Sequence, residues 1–491
     1  MRVALVPLDD RPYNLSYVTK LGRIAGVEII TPPLALVGWY FTPGDTKALA
    51  DWLLELPGDI DAVIVAVDML ACGGLLASRT EGIGEAEAVD RLTALERLRA
   101  LRPELPVLAF DTIIRTSLSA RDPESRRVHR LLHRWTTLAG KVRVTEDAKT
   151  KEEFSQVSAA IPPHVIERYR RVRERKHAVN RHALELTRAG VIDVLHLLME
   201  DVGPEGHLYG VHKEEQAELR ALGGTLGVAD RVFLHNGTDE GACTLLAGLV
   251  TSWHELRPRI YVRYSTLDGA CQVPTFEDRP FGENLASFVA AAGGVLTNDY
   301  AEADAVLAVH TPYGDTPDVV AFSDLIAGDL ESGMSVALVD TTTNTADLAL
   351  MAALAHRVSL DDLTAYSAWN TACNALGTAL AQLVLALAGG DDAREANRLL
   401  VIERLLDDYV YEGIVRPRVN QRLEDAGSNP WDLGDGADAT RSAVAHEMEE
   451  EVARTLSPHV RTAFEYSVTL PWPRTFEPAI EVWHAGRETS A

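Results

Sequence analysis

The sequence predicts an α/β protein built from two Rossmann-like, doubly wound parallel-sheet domains, with a helical insertion and a C-terminal α+β tail. Three observations carry that expectation. Short unbroken apolar runs, such as Val3 to Leu8 and Ala62 to Val67, have the pattern of strands buried on both faces of a parallel sheet. Each run ends in a polar cluster and is followed by an amphipathic stretch, a βα alternation that recurs at roughly 35-residue spacing in the second half. At 491 residues the chain exceeds one ordinary core of about 100–200 residues.

Taken in order, Val3 to Leu8 is a strand that stops at Asp9-Asp10-Arg11-Pro12, followed by a helix from Ser16 to Ala25 and a short strand, Val27 to Ile30. Gly44-Asp45-Thr46 leads into an amphipathic helix. Ala62 to Val67 runs into Asp68, Gly73-Gly74 and Arg79, and Pro106 to Phe110 is a strand ending at Asp111. From about 119 to 190 the chain turns basic and helical, with leucines and valines recurring among the charges. A phosphate-binding helix fits this composition, and a solvated insertion or packing arm fits it better. Val191 to Met199 returns to strand and ends at Glu200-Asp201. Val232 to Leu234 then turns at His235 to Gly237 into a helix beginning under Asp239-Glu240, with Thr238 as its cap. The first domain spans 1–257. The second spans 258–390, with strands at Arg259 to Tyr264, Gly294 to Thr297, Ala305 to Val309, Val336 to Val339 and Leu363 to Ala368. Residues 391–491 form a helical region closing in two strands about a Pro-rich turn.

Charge and motifs exclude several function classes. Acidic residues outnumber basic ones, 72 against 47, and a net charge of −25 repels a phosphate backbone, so nucleic acid is not an expected partner. No GxGxxG or GK[ST] loop follows a strand, so neither a dinucleotide nor a nucleotide cofactor is expected, nor any other. The four cysteines follow no metal or disulfide spacing. No leader and no membrane-spanning stretch is read, and a cytoplasmic protein, free to form a homo-oligomer, is the expectation.

The polar strand ends supply the candidate site, because ligands of open α/β sheets bind outside the carboxyl ends of the strands. Glu200, Asp201, Asp239 and Glu240 are the candidate catalytic carboxylates. Acids in a first helical turn also serve simply to oppose the helix dipole, at about 0.3–1 kcal/mol each. Asp9, Asp10, Arg11, Asp68, Arg79 and Asp111 are candidate substrate-binding residues in the first domain, with self-satisfied ion pairing as the competing reading. His310, Asp340, Asn344, Trp369, Asn370 and Asn374 are those of the second, where an indole and amides beside carboxylates suit a sugar. His207 and His212 are weaker candidates for metal ligands. No metal is assigned.

Pro7-Leu-Asp-Asp-Arg-Pro12, Pro43-Gly-Asp45, Asp68-Met-Leu-Ala-Cys-Gly-Gly74 with Ser78-Arg79, Gly237-Thr-Asp-Glu240, Trp369-Asn-Thr-Ala-Cys-Asn374 and Leu470-Pro-Trp-Pro-Arg-Thr-Phe-Glu477 are spread over nearly the whole chain. Together they resemble an uncharacterised bacterial domain-of-unknown-function family. The resemblance implies polar loops on an α/β frame and an association with sugar-degrading genes. The chain departs from the family pattern at Glu200-Asp201-Val-Gly, where an Asp-Asp-Ala-like run is expected, and at Trp472-Pro473, where Asn is expected after the tryptophan.

The leading functional expectation is a carbohydrate-active hydrolase that cleaves a glycosidic bond in a small saccharide, amino sugars included, with paired carboxylates. Burial behind Met199 would raise Glu200 and suit it as the acid, whereas Asp239 and Glu240 at a helix start would favour their charged forms. The alternatives are a metal-dependent hydrolase using Asp9, Asp10, Asp68 and Asp111, and a non-catalytic two-lobed sugar-binding protein.

Overall fold

The computed structural model describes residues 1–117, 123–202 and 205–486, with the side chains of 123–126, 206–207, 391–392 and 458–459 left aside. The chain forms two compact units, one of Met1–Thr19, Val27–Leu245 and Val273–Ser287, the other of Lys20–Gly26, Leu246–Gln272 and Phe288–Ala491.

The first unit holds a parallel sheet of β1 (Arg2–Val6), β2 (Glu28–Ile30), β3 (Ala62–Ala66), β4 (Val107–Ile113), β5 (Val194–Met199) and β6 (Val232–Asn236), in the order β2-β1-β3-β4-β5-β6. The apolar runs become central strands because both faces are covered: every residue of β3 and of β4 is buried. The order reverses once, between β1 and β3, and there the crevice outside the strand ends is the expected ligand position of a doubly wound sheet.

The second unit repeats this plan. Its parallel sheet contains β7 (Arg259–Tyr264), β8 (Val295–Thr297), β9 (Ala305–His310), β10 (Ser335–Asp340) and β11 (Ala365–Ser367), in the order β8-β7-β9-β10-β11, with the reversal between β7 and β9. Val306, Leu338, Phe322, Leu350 and Tyr366 fill the core beside it. The tail adds an antiparallel pair, β12 (Phe464–Thr469) and β13 (Ala479–His484), whose inward side packs with Ile402, Val410, Val444 and Met448. The protein is thus α/β, two helix-flanked parallel sheets with a small antiparallel sheet.

Four expectations change. Asp111 lies inside β4, not after it, because the strand continues to Ile113. The helix after β6 is Gly241–Trp253, so Asp239 and Glu240 precede its first turn, and the Thr238 hydroxyl donates to Gly237 O at 2.6 Å instead of capping the helix. The basic insertion, whose first expected residue Ser119 lies outside the described residues, is not simply solvated. Its helices Pro123–Val144, Ala148–Ala160 and Pro163–Arg188 share an apolar centre of Val128, Leu132, Trp135, Val165 and Tyr169, and the last of them buries Arg173, Arg175, Lys176 and Asn180. Finally, Ala372–Gly389 is long and apolar enough to cross a membrane, although 78% of it is buried inside the protein, as in a core helix.

Candidate functional site

The loops that follow β1, β3, β4, β5 and β6 meet at the carboxyl edge of the first sheet. Three strands separate β1 from β6, about 19 Å at the usual spacing of ~4.8 Å, yet the Arg11 and Asn14 side chains join their loops. The Arg11 guanidinium donates to Asp9 Oδ2 at 2.7 Å and to Asp239 Oδ1 at 2.5 Å and Oδ2 at 3.2 Å. Asn14 Nδ2 adds bonds to Asp9 at 2.8 Å and Asp239 at 3.3 Å. All four residues are buried. Burial pushes the Asp239 carboxyl above the usual range and Asp9 adds to the rise, while Arg11 opposes it. Asp10 is only half-buried and accepts from Tyr40 N at 3.4 Å.

Glycines set the approach of these loops. Gly73 and Gly74 have φ of +90° and +117°, and a Cβ on Gly73 would stand 2.8 Å from Pro43 Cβ. Gly44 N bonds to Gly73 O at 2.9 Å and Leu75 N to Leu8 O at 3.2 Å. Their work is close packing of the β1 and β3 loops, and Asp45 caps the helix Thr46–Leu54 through Ala48 N.

Beside this lies a second pair. Arg79 Nε sits 3.1 Å from both oxygens of Glu200 and its Nη2 also bonds Oε1, while Arg115 N donates to Oε2 at 2.7 Å. Glu200 is 2% exposed and held on both oxygens, which fixes its position. Asp201 next to it is partly exposed and, among the described residues, has no side-chain hydrogen bond. Burial raises its pKa, and the charges of Glu200 and Asp239 raise it further against Arg115 and Arg79. Asp201 and Asp239 are thus both raised, the first with no bonded cation and the second beside Arg11. Glu240 turns away, folding back so that Oε2 accepts from Thr238 N at 3.0 Å. Gly237, at φ +129°, has no room for a Cβ, which would stand 1.6 Å from Glu240 Oε1.

Asp68 and Asp111 form a separate buried centre around a lysine. Lys176 bonds Asp111 directly and stands 3.1 Å from Asp68 Oδ1. Thr112 donates to Asp68 from N at 2.9 Å and from Oγ1 at 3.0 Å, and Asn180 Nδ2 donates to Asp111 at 2.6 Å. Lys176 is held charged by its two carboxylates, with its pKa raised, while burial and Asp68 push Asp111 up. A cation from the chain itself fills the place the metal reading would give an ion. Among the described residues no group of three or more His, Cys, Asp or Glu side chains is arranged to hold a metal. His212 is buried 3.5 Å from Asp278 and its pKa is lowered by burial, and the His207 side chain lies outside the described residues.

The candidates of the second unit stand at its own strand ends. His310 closes β9, buried, with Nδ1 3.1 Å from Ser265 Oγ and Nε2 3.0 Å from Asp347 Oδ2. Asp340 closes β10 and accepts from Thr342 N at 2.9 Å and Asp347 N at 2.6 Å. Asn344 and Asn370 both adopt φ of 57°, a conformation Asn tolerates better than most residues, and Asn344 N bonds Asn370 O at 2.8 Å. Asn374 Oδ1 accepts from Asn370 Nδ2 at 2.9 Å and Thr371 Oγ1 at 3.1 Å, so its amide braces this loop. Trp369 is 1% exposed and packs on Phe476 at 5.6 Å, which leaves its indole inside the unit rather than presented to a sugar.

Sequence reasoning passed over one polar centre. Leu405–Val415 is an eleven-residue π-helix joining two α-helices, Arg394–Arg404 and Arg416–Asp425, a form that is usually a single turn and often marks a functional region. It buries Asp407, Asp408 and Glu412 against Arg404 and Arg416. Asp408 accepts from Ala368 N at 2.6 Å, fixing the Trp369 loop. Burial pushes Asp407 up to about 7 and Glu412 well above the carboxylate range. The signal was present as five charges within thirteen residues of an otherwise apolar helical stretch, Arg404 to Arg416.

Fold and site define an α/β protein with two doubly wound sheets of like order, whose carboxyl edges carry fixed ion pairs around a few carboxyls biased toward protonation. The family model described as "Protein of unknown function (DUF4127)" matches residues 3–481. The chain belongs to that family. No curated protein and no solved structure matches it.

Proposed function

We propose that the carboxyl edge of the first sheet hydrolyses a glycosidic bond in a small saccharide, amino sugars included, with Asp201 as the acid and Asp239 as the base or nucleophile. The observation that carries this reading is the contrast among neighbouring carboxylates. Glu200 is bonded on both oxygens by Arg79 and on one by Arg115 N, whereas Asp201 and Asp239, on the loops after adjacent strands, are raised and Asp201 feels the Asp239 charge. Asp201 and Asp239 differ in that only Asp239 is bonded to a cation, Arg11, and carboxyls whose environments differ in this way divide acid and base duties. Asp201 is the partly exposed one, able to reach a leaving oxygen. Asp239 keeps Arg11 at hand, so charge on its carboxylate is stabilised once the acid has given up its proton. Asp9 and Asn14 position Arg11 rather than touch substrate.

The test is turnover of a panel of small saccharides, read as new reducing ends, by the wild type, Asp201→Asn and Asp239→Asn. Each amide keeps shape and removes the titrating group, so a drop of about 10²–10⁴ with an unchanged circular dichroism spectrum is expected. Full turnover in both variants would discard the assignment. Activity lost on chelation and restored by a divalent ion would favour the metal-dependent alternative.

A further inference from the structure

We propose that Ser265, His310 and Asp347, in the second unit, form a nucleophilic relay that takes an acyl group from a small carboxylic ester. The three side chains stand in line. Ser265 Oγ is 3.1 Å from His310 Nδ1, and His310 Nε2 is 3.0 Å from Asp347 Oδ2. These are the separations of a nucleophile, its base and the group that orients the base.

Hydrogen-bond accounting fixes the direction of the relay. The pKa of Asp347 is lowered to about 2, first by its bond to His310, so at neutral pH it is a carboxylate that only accepts. In the tautomer whose Nε2–H donates to that carboxylate, His310 Nδ1 is the acceptor. Thr311 N already donates to Ser265 Oγ at 2.9 Å. The serine therefore accepts from the amide and turns its own hydrogen toward His310 Nδ1, the arrangement that polarises a hydroxyl for attack. The amide bond also stabilises negative charge on Oγ as the proton leaves.

Position supports the same conclusion. Ser265 is the first residue after β7 and His310 the last of β9, the two strands on either side of the reversal in the second sheet, where a doubly wound sheet binds its ligand. His310 is fully buried and Ser265 partly exposed, so the relay meets solvent at the nucleophile. Asp347 also caps the helix Leu348–Ala355 through Ala349 N at 2.8 Å and Leu350 N at 3.0 Å, which holds its free oxygen on the imidazole.

In the reaction Ser265 Oγ bonds to the ester carbonyl carbon as its proton passes to His310 Nδ1. The bond from that carbon to the alcohol oxygen breaks, and the alcohol leaves with the proton returned from Nδ1. Water, deprotonated by the same nitrogen, then cleaves the acyl-serine to give the carboxylic acid and the free hydroxyl.

The test uses the full chain with a fluorophosphonate probe, peptide mass spectrometry locating the adduct. Wild type should carry it on Ser265, Ser265→Ala should lose it there, and Asp347→Asn should slow it about 10²-fold. Asn caps a helix as well as Asp does, so an unchanged melting temperature in Asp347→Asn separates the relay from the cap. Absence of an adduct on Ser265 in the wild type, or equal labelling rates in wild type, Asp347→Asn and His310→Gln, would overturn the proposal.

Discussion

Replacing Lys176 by Met removes the only cation touching Asp68 and Asp111 among the described residues, and the structure lets the cost be worked out. Lys176 is 1% exposed and both carboxylates are fully buried, so solvent cannot take over its work. At 3.1 Å from Asp68 the Coulomb attraction alone is about 5 kcal/mol at an effective dielectric constant of about 20. Removing one partner of a buried pair costs about 3–5 kcal/mol, because the charge left behind is uncompensated. Met fills the volume of the lysine stem, so little of this loss comes from a cavity. For a unit of this size the expected fall in melting temperature is roughly 6–20 °C.

The pH dependence has a definite sign. A carboxylate whose folded pKa lies above its unfolded value binds more protons in the folded state, so stability falls as pH rises between the two. Asp111 is already raised to about 7 with the lysine present, and loses its main opposing charge in the variant. The deficit of Lys176→Met should therefore be largest at pH 8 and shrink toward pH 5. Asp111→Asn in the same background should recover more than half of it. Urea unfolding at both pH values measures this. A loss below about 1 kcal/mol, or one equal at the two pH values, would refute the assignment of Lys176 as the counter-ion of this centre.

Arg79→Lys keeps charge and loses the fork on Glu200, so saccharide turnover should fall at least about tenfold with a much smaller change in melting temperature. Gly237→Ala puts a methyl group where Glu240 Oε1 lies, at a φ of +129° that side chains avoid; about 1–3 kcal/mol of stability should be lost, read by urea unfolding, together with turnover. Because Asp201 and Asp239 are both raised, kcat/KM should decline on the alkaline side of the ordinary carboxylate range as the acid loses its proton, and Asp201→Asn should abolish that limb. The same two groups lower stability as pH rises between their unfolded and folded values, so thermal unfolding followed over this range should show a gentle fall where the activity is lost.

The strands were legible because a strand buried on both faces has no choice of side chain: Val3 to Val6 and Ala62 to Ala66 are buried throughout, and their sequences say so. The polar strand ends were legible for the same reason, since the first residues past the sheet are the first allowed to carry charge. What each end touches was not. Arg11 and Asp239 are 228 residues apart, and Lys176 and Asp111 65 apart, and no local pattern reports such pairings. The basic helix Pro163–Arg188 shows why composition misleads here. Its arginines and lysine occur at the density of a solvated face, yet Arg173 reaches Ile114 O at 3.1 Å and Glu215 at 2.6 Å, Arg175 reaches Ser78 O at 2.6 Å, and Lys176 enters the sheet. Long side chains can hide their charge several ångströms from where their backbone sits. The π-helix was illegible for a different reason: apolar residues spaced three and four apart fit an α-helix, and a wider winding that turns three acids inward leaves no signature in that spacing.

Buried charge also explains why so few strand-end acids remain as chemistry. Each carboxylate taken from water at the first sheet's edge must find a cation or enough donors, or else hold a proton. Asp9 has Arg11, Glu200 has Arg79, and Asp68 and Asp111 share Lys176, so these four are committed to holding the loops in place. Asp201 has no such partner among the described residues, and Asp239 shares its guanidinium with Asp9. Asp201 is therefore the acid in which a change of charge during a reaction costs the surrounding structure least, and Asp239 follows it only as far as Arg11 is divided between two carboxyls. Substituting the committed residues should cost stability first, and substituting Asp201 should cost activity first. Equal loss of stability from Glu200→Gln and Asp201→Asn, measured by urea unfolding, would remove the distinction on which the proposed roles rest.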